Sequence, residues 1–270
     1  VAMGATVTIR NVAPTVADLQ VFDMFGRVLD TEPGIVLQGL TYRLRGTFTD
    51  PGRPDTQTAL IDWGDGNVDS DDQFELFTDA FGGKTGEVLQ AHTFLEPGDL
   101  SPTLQVTDDD GGRDSEGVQR LVVSAAGAAE QAVDAIQDLI EATTDPDILA
   151  ALQEALDALQ GRRNGAASNG ALDKLEGGQL VAAMVKLGDV IAALGAAEES
   201  GAGDLSSLKH TLAAAAASLA YAALEAAIAD ARPSALVARI AAAIESGDAA
   251  MIAGDYEAAV LAYKRAVYLR

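Results

Sequence analysis

The hydrophobic period of this chain changes once, at Ser124-Ala125-Ala126-Gly127, and that change constrains the fold more than any single motif. Before it, apolar residues alternate in short runs such as Thr58-Ala59-Leu60-Ile61-Asp62-Trp63 and Leu104-Gln105-Val106-Thr107-Asp108, each running into a Gly/Asp turn. Alternation puts every second side chain on one buried face, which is the pattern of an antiparallel strand. After it, Val133, Ile136, Leu139 and Ile140 form one stripe, and Ile148, Leu149, Leu152, Leu156 and Leu159 form the next. That spacing is helical, with a period of about 3.6. A chain of 270 residues is long enough for two ordinary domains. The expected class is multidomain β plus α, an antiparallel β-sandwich followed by an all-α helical bundle.

Strands are expected near 18–22, 39–50, 59–63, 74–79, 87–94, 101–108 and 117–123, with Trp63 in the core. Seven short alternating runs separated by turns fit an immunoglobulin-like sandwich. The runs Ala59-Leu60-Ile61-Asp62-Trp63-Gly64-Asp65-Gly66 and Leu104 to Gly112 stand in order with Asn11-Val12-Ala13-Pro14-Thr15, Gly46-Thr47-Phe48-Thr49-Asp50-Pro51-Gly52, and His92-Thr93-Phe94 with Pro97-Gly98. Over residues 12–124 this set resembles a PKD (polycystic kidney disease) domain. The resemblance implies an extracellular, immunoglobulin-like spacer or adhesion module. By the same resemblance, residues 1–11 are either the last strand of a preceding repeat or the first strand of this one. Val1, with no basic-then-apolar leader after it, suggests a processed product or a piece of a longer chain.

Residues 125–270 are expected to form the Ala-rich bundle. Thr144-Asp145-Pro146-Asp147 supplies an N-cap, a proline at the first helical position and an acid in the first turn, and Gly161 supplies a stop. Further helices are expected over 168–175, 180–198, 204–231, 234–252 and 255–269, with Gly247 able to split the one over 234–252. Ala213 to Ala217, with Ala220, Ala222, Ala223, Ala226 and Ala227, leave little bulk around the helix over 204–231, so it should be central, with Leu212, Leu219, Leu224 and Ile228 as its larger contacts. The stretch from Thr211 to Ala229 is apolar but mostly Ala and is read as a buried helix, without membrane insertion. Residues 165–191 resemble helical modules that end secreted bacterial repeat proteins. Ala253-Gly254-Asp255-Tyr256-Glu257-Ala258-Ala259 is similar to part of a tetratricopeptide repeat, although one such unit makes no solenoid.

Acidic residues number 41 against 18 basic, giving a net charge of −23. Such a surface repels phosphate backbones, so nucleic acid is not an expected partner. No cysteine is present, which removes disulfides and thiolate metal sites from consideration. Aromatic residues make up only 5%, and the one Trp is expected in the core, which argues against a carbohydrate platform. The two histidines, His92 and His210, lie in different modules, and no serine-nucleophile elbow, zincin or phosphate-loop motif occurs. Catalysis is therefore not expected.

Calcium is the cofactor to consider. Asp65, Asn67, Asp69 and Asp71 open like an EF-hand loop, but Ser70 replaces the turn glycine and Leu76 stands where the bidentate Glu is needed. That reading fails. In an immunoglobulin-like sandwich the B–C and F–G loops share one end, which would gather Asp50, Asp55, Asp108, Asp109, Asp110 and Asp114. Crowded carboxylates repel, and a hard divalent ion with oxygen ligands relieves that repulsion.

The function expected is a non-enzymatic extracellular structural or adhesion module, the C-terminal part of a larger cell-surface, fibre or surface-layer protein, acting through protein–protein contacts and self-assembly. Its partners would be other protein subunits or copies of itself. The alternative is the non-catalytic accessory tail of a secreted protease or polysaccharide-degrading enzyme.

Overall fold

Thr58, Leu60 and Asp62 face solvent while Gln57, Ala59 and Ile61 are buried, so the alternation read from the sequence is the alternation of a strand with one face in a core. The computed structural model describes residues 11–29, 34–52, 55–71, 75–78, 83–161 and 170–270. The strand expected over the first dozen residues lies almost wholly outside them. Among the described residues are the strands β1 (Thr15–Asp23), β2 (Gly34–Leu37), β3 (Thr41–Asp50), β4 (Gln57–Asp62), β5 (Val68–Asp71) and β6 (Glu75–Thr78). They continue with β7 (Lys84–Thr93), β8 (Gly98–Leu100), β9 (Thr103–Asp108), β10 (Arg113–Gly117) and β11 (Arg120–Val123). The helices are α1 (Ala125–Ala142), α2 (Pro146–Gln160), α3 (Ala171–Glu176), α4 (Leu180–Glu199), α5 (Ser206–Ala229), α6 (Ser234–Ala253) and α7 (Tyr256–Leu269).

Two four-stranded sheets, ordered β1-β3-β7-β6 and β10-β9-β4-β5, carry most of the β residues. Their inner faces supply Val21, Leu44, Phe48 and Val88 on one side and Ala59, Ile61, Leu104 and Val106 on the other, all buried. Gly46 of β3 has no side chain because a Cβ there would overlap Leu104 of β9, which fixes how closely the sheets approach. β1 starts three residues earlier than the spacing predicts. Its register against β3 shifts between Ala17 and Gln20, and Asp18 sits in the shift at φ +55°. A bulge with an Asp in left-handed conformation is a local device that a period-two reading skips.

Four strands were not expected. β5 (Val-Asp-Ser-Asp) and β10 (Arg-Asp-Ser-Glu-Gly) lack an apolar face, and they form because β4 and β9 present a ladder for them to pair with. β2 and β8 are short and belong to a third sheet, ordered β2-β11-β8.

The chain forms two compact units. One comprises residues 1–34, 41–92 and 99–121, and the other comprises residues 35–40, 93–98 and 122–270. The second unit thus takes two short segments from within the sandwich sequence. They are held by Gln38 N to Val123 O at 2.9 Å, by Gly39 N to Phe94 O at 2.9 Å, and by Ser218 Oγ of α5 donating to Gln38 O at 2.7 Å.

The helices follow the spacing closely. Ser124 caps α1 by accepting from Gly127 N, and Asp145 caps α2 by accepting from Asp147 N, with Pro146 next to it. α5 is central, packing on α1, α4, α6 and α7, and Ala213 to Ala217 are all buried. Ile228 is a correction, since it is 59% exposed at the last turn of α5. α4 and α5 are long and apolar enough to cross a membrane, and about half of each such stretch is buried among neighbouring parts of the chain. Gly247 does not split α6. A Cβ at Gly247 would overlap the ring of Tyr263, so the glycine makes room for that ring. Tyr263 and Tyr221 both donate to Asp248, at 2.8 and 2.7 Å, tying α5, α6 and α7 together. Burial and that carboxylate push the Tyr221 hydroxyl well above the ordinary tyrosine range.

Gly247→Ala is expected to destabilise the helical unit by about 1–3 kcal/mol despite the better helix propensity of alanine, because overpacking outweighs propensity. Chemical denaturation followed by circular dichroism measures it. A neutral or stabilising result would contradict the packing of Tyr263 on Gly247.

Candidate metal site at one end of the sandwich

β3 ends at Asp50 and β4 begins at Gln57, while β9 ends at Asp108 and β10 begins at Arg113. Gln57 pairs with Asp108 in the β4–β9 ladder, so both turns leave the sandwich at the same end. There Asp50, Asp55 and Asp108 come together, with one carboxylate oxygen of each lying within 4.8 Å of the others. Their exposures are 1%, 6% and 4%.

The surrounding donors hold these groups in place without neutralising them. Asp50 accepts from Gly52 N at 2.8 Å and from Gln57 Nε2 at 2.7 Å. Asp108 accepts from Gly112 N at 2.7 Å and from Asn11 Nδ2 at 2.8 Å. Gly112 cannot carry a side chain, because a Cβ would stand 2.5 Å from an Asp108 oxygen and 2.9 Å from Ala13 Cα. Lys84 brings a positive charge to the edge of the cluster, where its Nζ donates to the backbone carbonyl of Asp55. Gln57 is 5% exposed and its Nε2 is spent on Asp50 and on the Asp55 carbonyl, yet its Oε1 has no partner. A buried acceptor left without a partner, on an amide bonded to the Asp50 carboxylate, suits a cation.

Burial, followed by the negative charges of Asp50, Asp109, Asp110 and Asp108, raises the Asp55 carboxyl above the ordinary aspartate range. Asp109 and Asp110 are exposed, and Asp109 accepts from Thr56 N at 3.1 Å. Asp114 is turned to another task, accepting from Val16 N at 2.9 Å to pin β1. Of the six aspartates singled out from the sequence, three share the cluster, two act on it through charge, and Asp114 is engaged elsewhere. Asn11, Gln57 and Lys84 were missed. Gln57 alone carried a signal, since it alternates with Ala59 and Ile61 onto the buried face.

The Gly64-Asp65-Gly66 turn has a structural task. The Trp63 ring is fully buried and stacks on His92, with centroids 4.7 Å apart and planes at 16°. His92 Nε2 meets Asp65 Oδ2 at 2.7 Å, and Trp63 Nε1 donates to Asp69 Oδ2 at 2.7 Å. Burial acts to raise the Asp65 carboxyl, but the bonds from His92 and Asn67 outweigh it and leave the group below the ordinary range. His210 is buried on the edge of the Tyr256 ring.

The chain matches no protein-family model and no curated protein. Among solved structures it is similar to the PKD domain of an M14-like peptidase from Thermoplasmatales archaeon SCGC AB-540-F20. That likeness has 21% identity and a TM-score of 0.30, covering 42% of this chain and 98% of that one. It is also similar to the Pseudomonas fluorescens alkylpurine DNA glycosylase AlkC bound to DNA containing an abasic site analog. There the identity is 12% and the TM-score 0.27, covering 43% of this chain and 32% of that one.

Because its folded-state pKa is raised, Asp55 contributes stability that is fully present below the ordinary aspartate pKa and is lost as pH rises through the raised value. In chelator, Asp55→Asn should therefore match the wild type at acid pH and become the more stable of the two as pH climbs towards neutrality. Urea denaturation at several pH values tests this. A gap that is constant with pH, or that favours the wild type at neutral pH, would count against the crowding of these carboxylates.

Proposed function

We propose that this chain is a non-catalytic module of a larger extracellular protein, and that its PKD-like sandwich serves as a spacer or adhesive unit stiffened by calcium. The helical unit makes the contact with other subunits or with copies of itself. The observation that carries the reading is the cluster of Asp50, Asp55 and Asp108, buried together with the unpartnered Gln57 Oε1.

A divalent ion at this point would accept one oxygen from each of three carboxylates, with the Gln57 amide oxygen as a neutral fourth ligand. Hard oxygen donors of this kind suit calcium, and extracellular modules use such sites at roughly 10⁻⁴–10⁻³ M. The ion would cross-link the β3–β4 turn to the end of β9. It would thereby stiffen the end of the sandwich where a spacer needs rigidity. Trp63 and His92 are taken up with each other and with Asp69 and Asp65, which leaves that pair to the core and the turn.

Calcium at about 10 mM should stabilise the wild type by about 1–3 kcal/mol over chelator, the gain expected for a site of that affinity class. Asp50→Asn and Asp108→Asn should each remove most of that gain, and Asp110→Ala should remove little. Thermal melts across a calcium series give the measurement. Equal melting temperatures for the wild type in calcium and in chelator would refute the calcium part of the reading.

A further inference from the structure

Resting on the reading of the helical unit as a contact to other copies, we propose that a second copy of this chain lays its α1 into the groove between α6 and α7. The antiparallel α6–α7 hairpin brings the start of one helix beside the end of the other. Between them lies a groove of about 570 Å³. It is lined by Ala243, Ala258 and Ala262, small enough for another helix to approach closely, and by Leu261, which is 61% exposed. Arg239, Lys264 and Arg265 converge on the same groove.

The three cations gather positive charge at one place on a chain of 41 acids and 18 bases. Elsewhere in the helical unit Lys186 pairs with Asp189 at 2.9 Å, and Lys209 pairs with Glu198. None of Arg239, Lys264 and Arg265 makes an ion pair or hydrogen bond with a described residue. A smaller hollow on the other flank of α7 places Asp189 and Glu257 near Lys264, but beyond ion-pair distance.

The complementary surface is on the chain itself. Glu130, Asp134, Asp138 and Glu141 are all exposed on α1 and make no ion pair among the described residues. Their spacing of four, four and three puts them on one flank of the helix, about 16 Å long. Small residues lining the groove and carboxylates facing three cations let that flank dock with its charges matched. Two copies carrying −23 each repel at long range. At physiological salt, however, the screening length is about 8 Å, so the charges in contact decide the outcome.

α1 packs on α2, α3 and α5, whereas α7 packs on α4, α5 and α6. Stripe and groove are therefore different surfaces of one unit. A contact between different surfaces is heterologous, and it propagates head to tail into a ring or an open fibre instead of closing as a two-fold dimer.

The test uses sedimentation velocity on the full chain over a concentration series at physiological salt. One variant carries Arg239→Glu, Lys264→Glu and Arg265→Glu; the other carries Glu130→Lys, Asp134→Lys, Asp138→Lys and Glu141→Lys. Circular dichroism and melting curves check that each folds. The wild type is expected to form dimers and larger species, each variant alone to associate about tenfold or more weakly, and an equimolar mixture to regain association. Recovery in the mixture cannot come from misfolding, since it needs both surfaces intact in shape. A wild type that associates while both variants associate equally well would overturn this interface and leave the self-assembly reading standing. A wild type that stays monomeric throughout would overturn both.

Discussion

Like charges buried together are the constraint on which the sandwich unit turns. Asp50, Asp55 and Asp108 are each more than nine-tenths buried, within one ligand sphere of one another. Folding has to desolvate all three against their mutual repulsion. The local structure is built around holding them there: Gly52 and Gly112 lack side chains that would overlap the Asp55 and Asp108 carboxylates, their amides donate to Asp50 and Asp108, and Gln57 and Asn11 supply further donors. Arrangements that concentrate a repulsive interaction are kept where something relieves it. The ladder from Gln57 to Asp108 makes the strain common to two strands, so that relief at one point stiffens both.

The helical unit is governed by volume. Alanines along α5 let four helices approach it, and the bulky side chain that must fit near it, Tyr263, is accommodated by Gly247 and anchored by Asp248. A helix packed this way has little exposed apolar surface of its own. The surface features that remain lie at the periphery, on α1 and on the α6–α7 hairpin. Segments 35–40 and 93–98, though β in sequence character, belong with the helices through Ser218 and through the buried Val36, Leu40 and Phe94.

Much of this was legible from one-dimensional pattern, and the gaps have physical causes. The helices announced themselves through their periodic apolar residues and, at α2, through the Asp145 cap; Ser124 and Asp255 also cap their helices, each accepting a backbone bond. β5 and β10 were invisible because a strand without an apolar face forms only where a neighbour offers hydrogen bonds. Asp50, Asp55 and Asp108 were legible as turn acids at one end of a sandwich. Loop topology groups Asp114 with them, whereas its carboxylate serves Val16 on β1. Asn11 and Lys84 come to the cluster from distant parts of the chain, and no local period encodes such an arrival. Gly247 read as a helix breaker because its reason for being there, the Tyr263 ring, lies on another helix.

The central claim is that the carboxylate cluster is a cation site, and a crystal structure of the chain grown with millimolar calcium tests it most directly. The account predicts one strong peak of density within about 2.3–2.6 Å of oxygens from Asp50, Asp55 and Asp108, with the Gln57 amide oxygen turned towards it. A well-ordered cluster without such a peak, its carboxylates bridged by a proton or by the Lys84 ammonium, would contradict it.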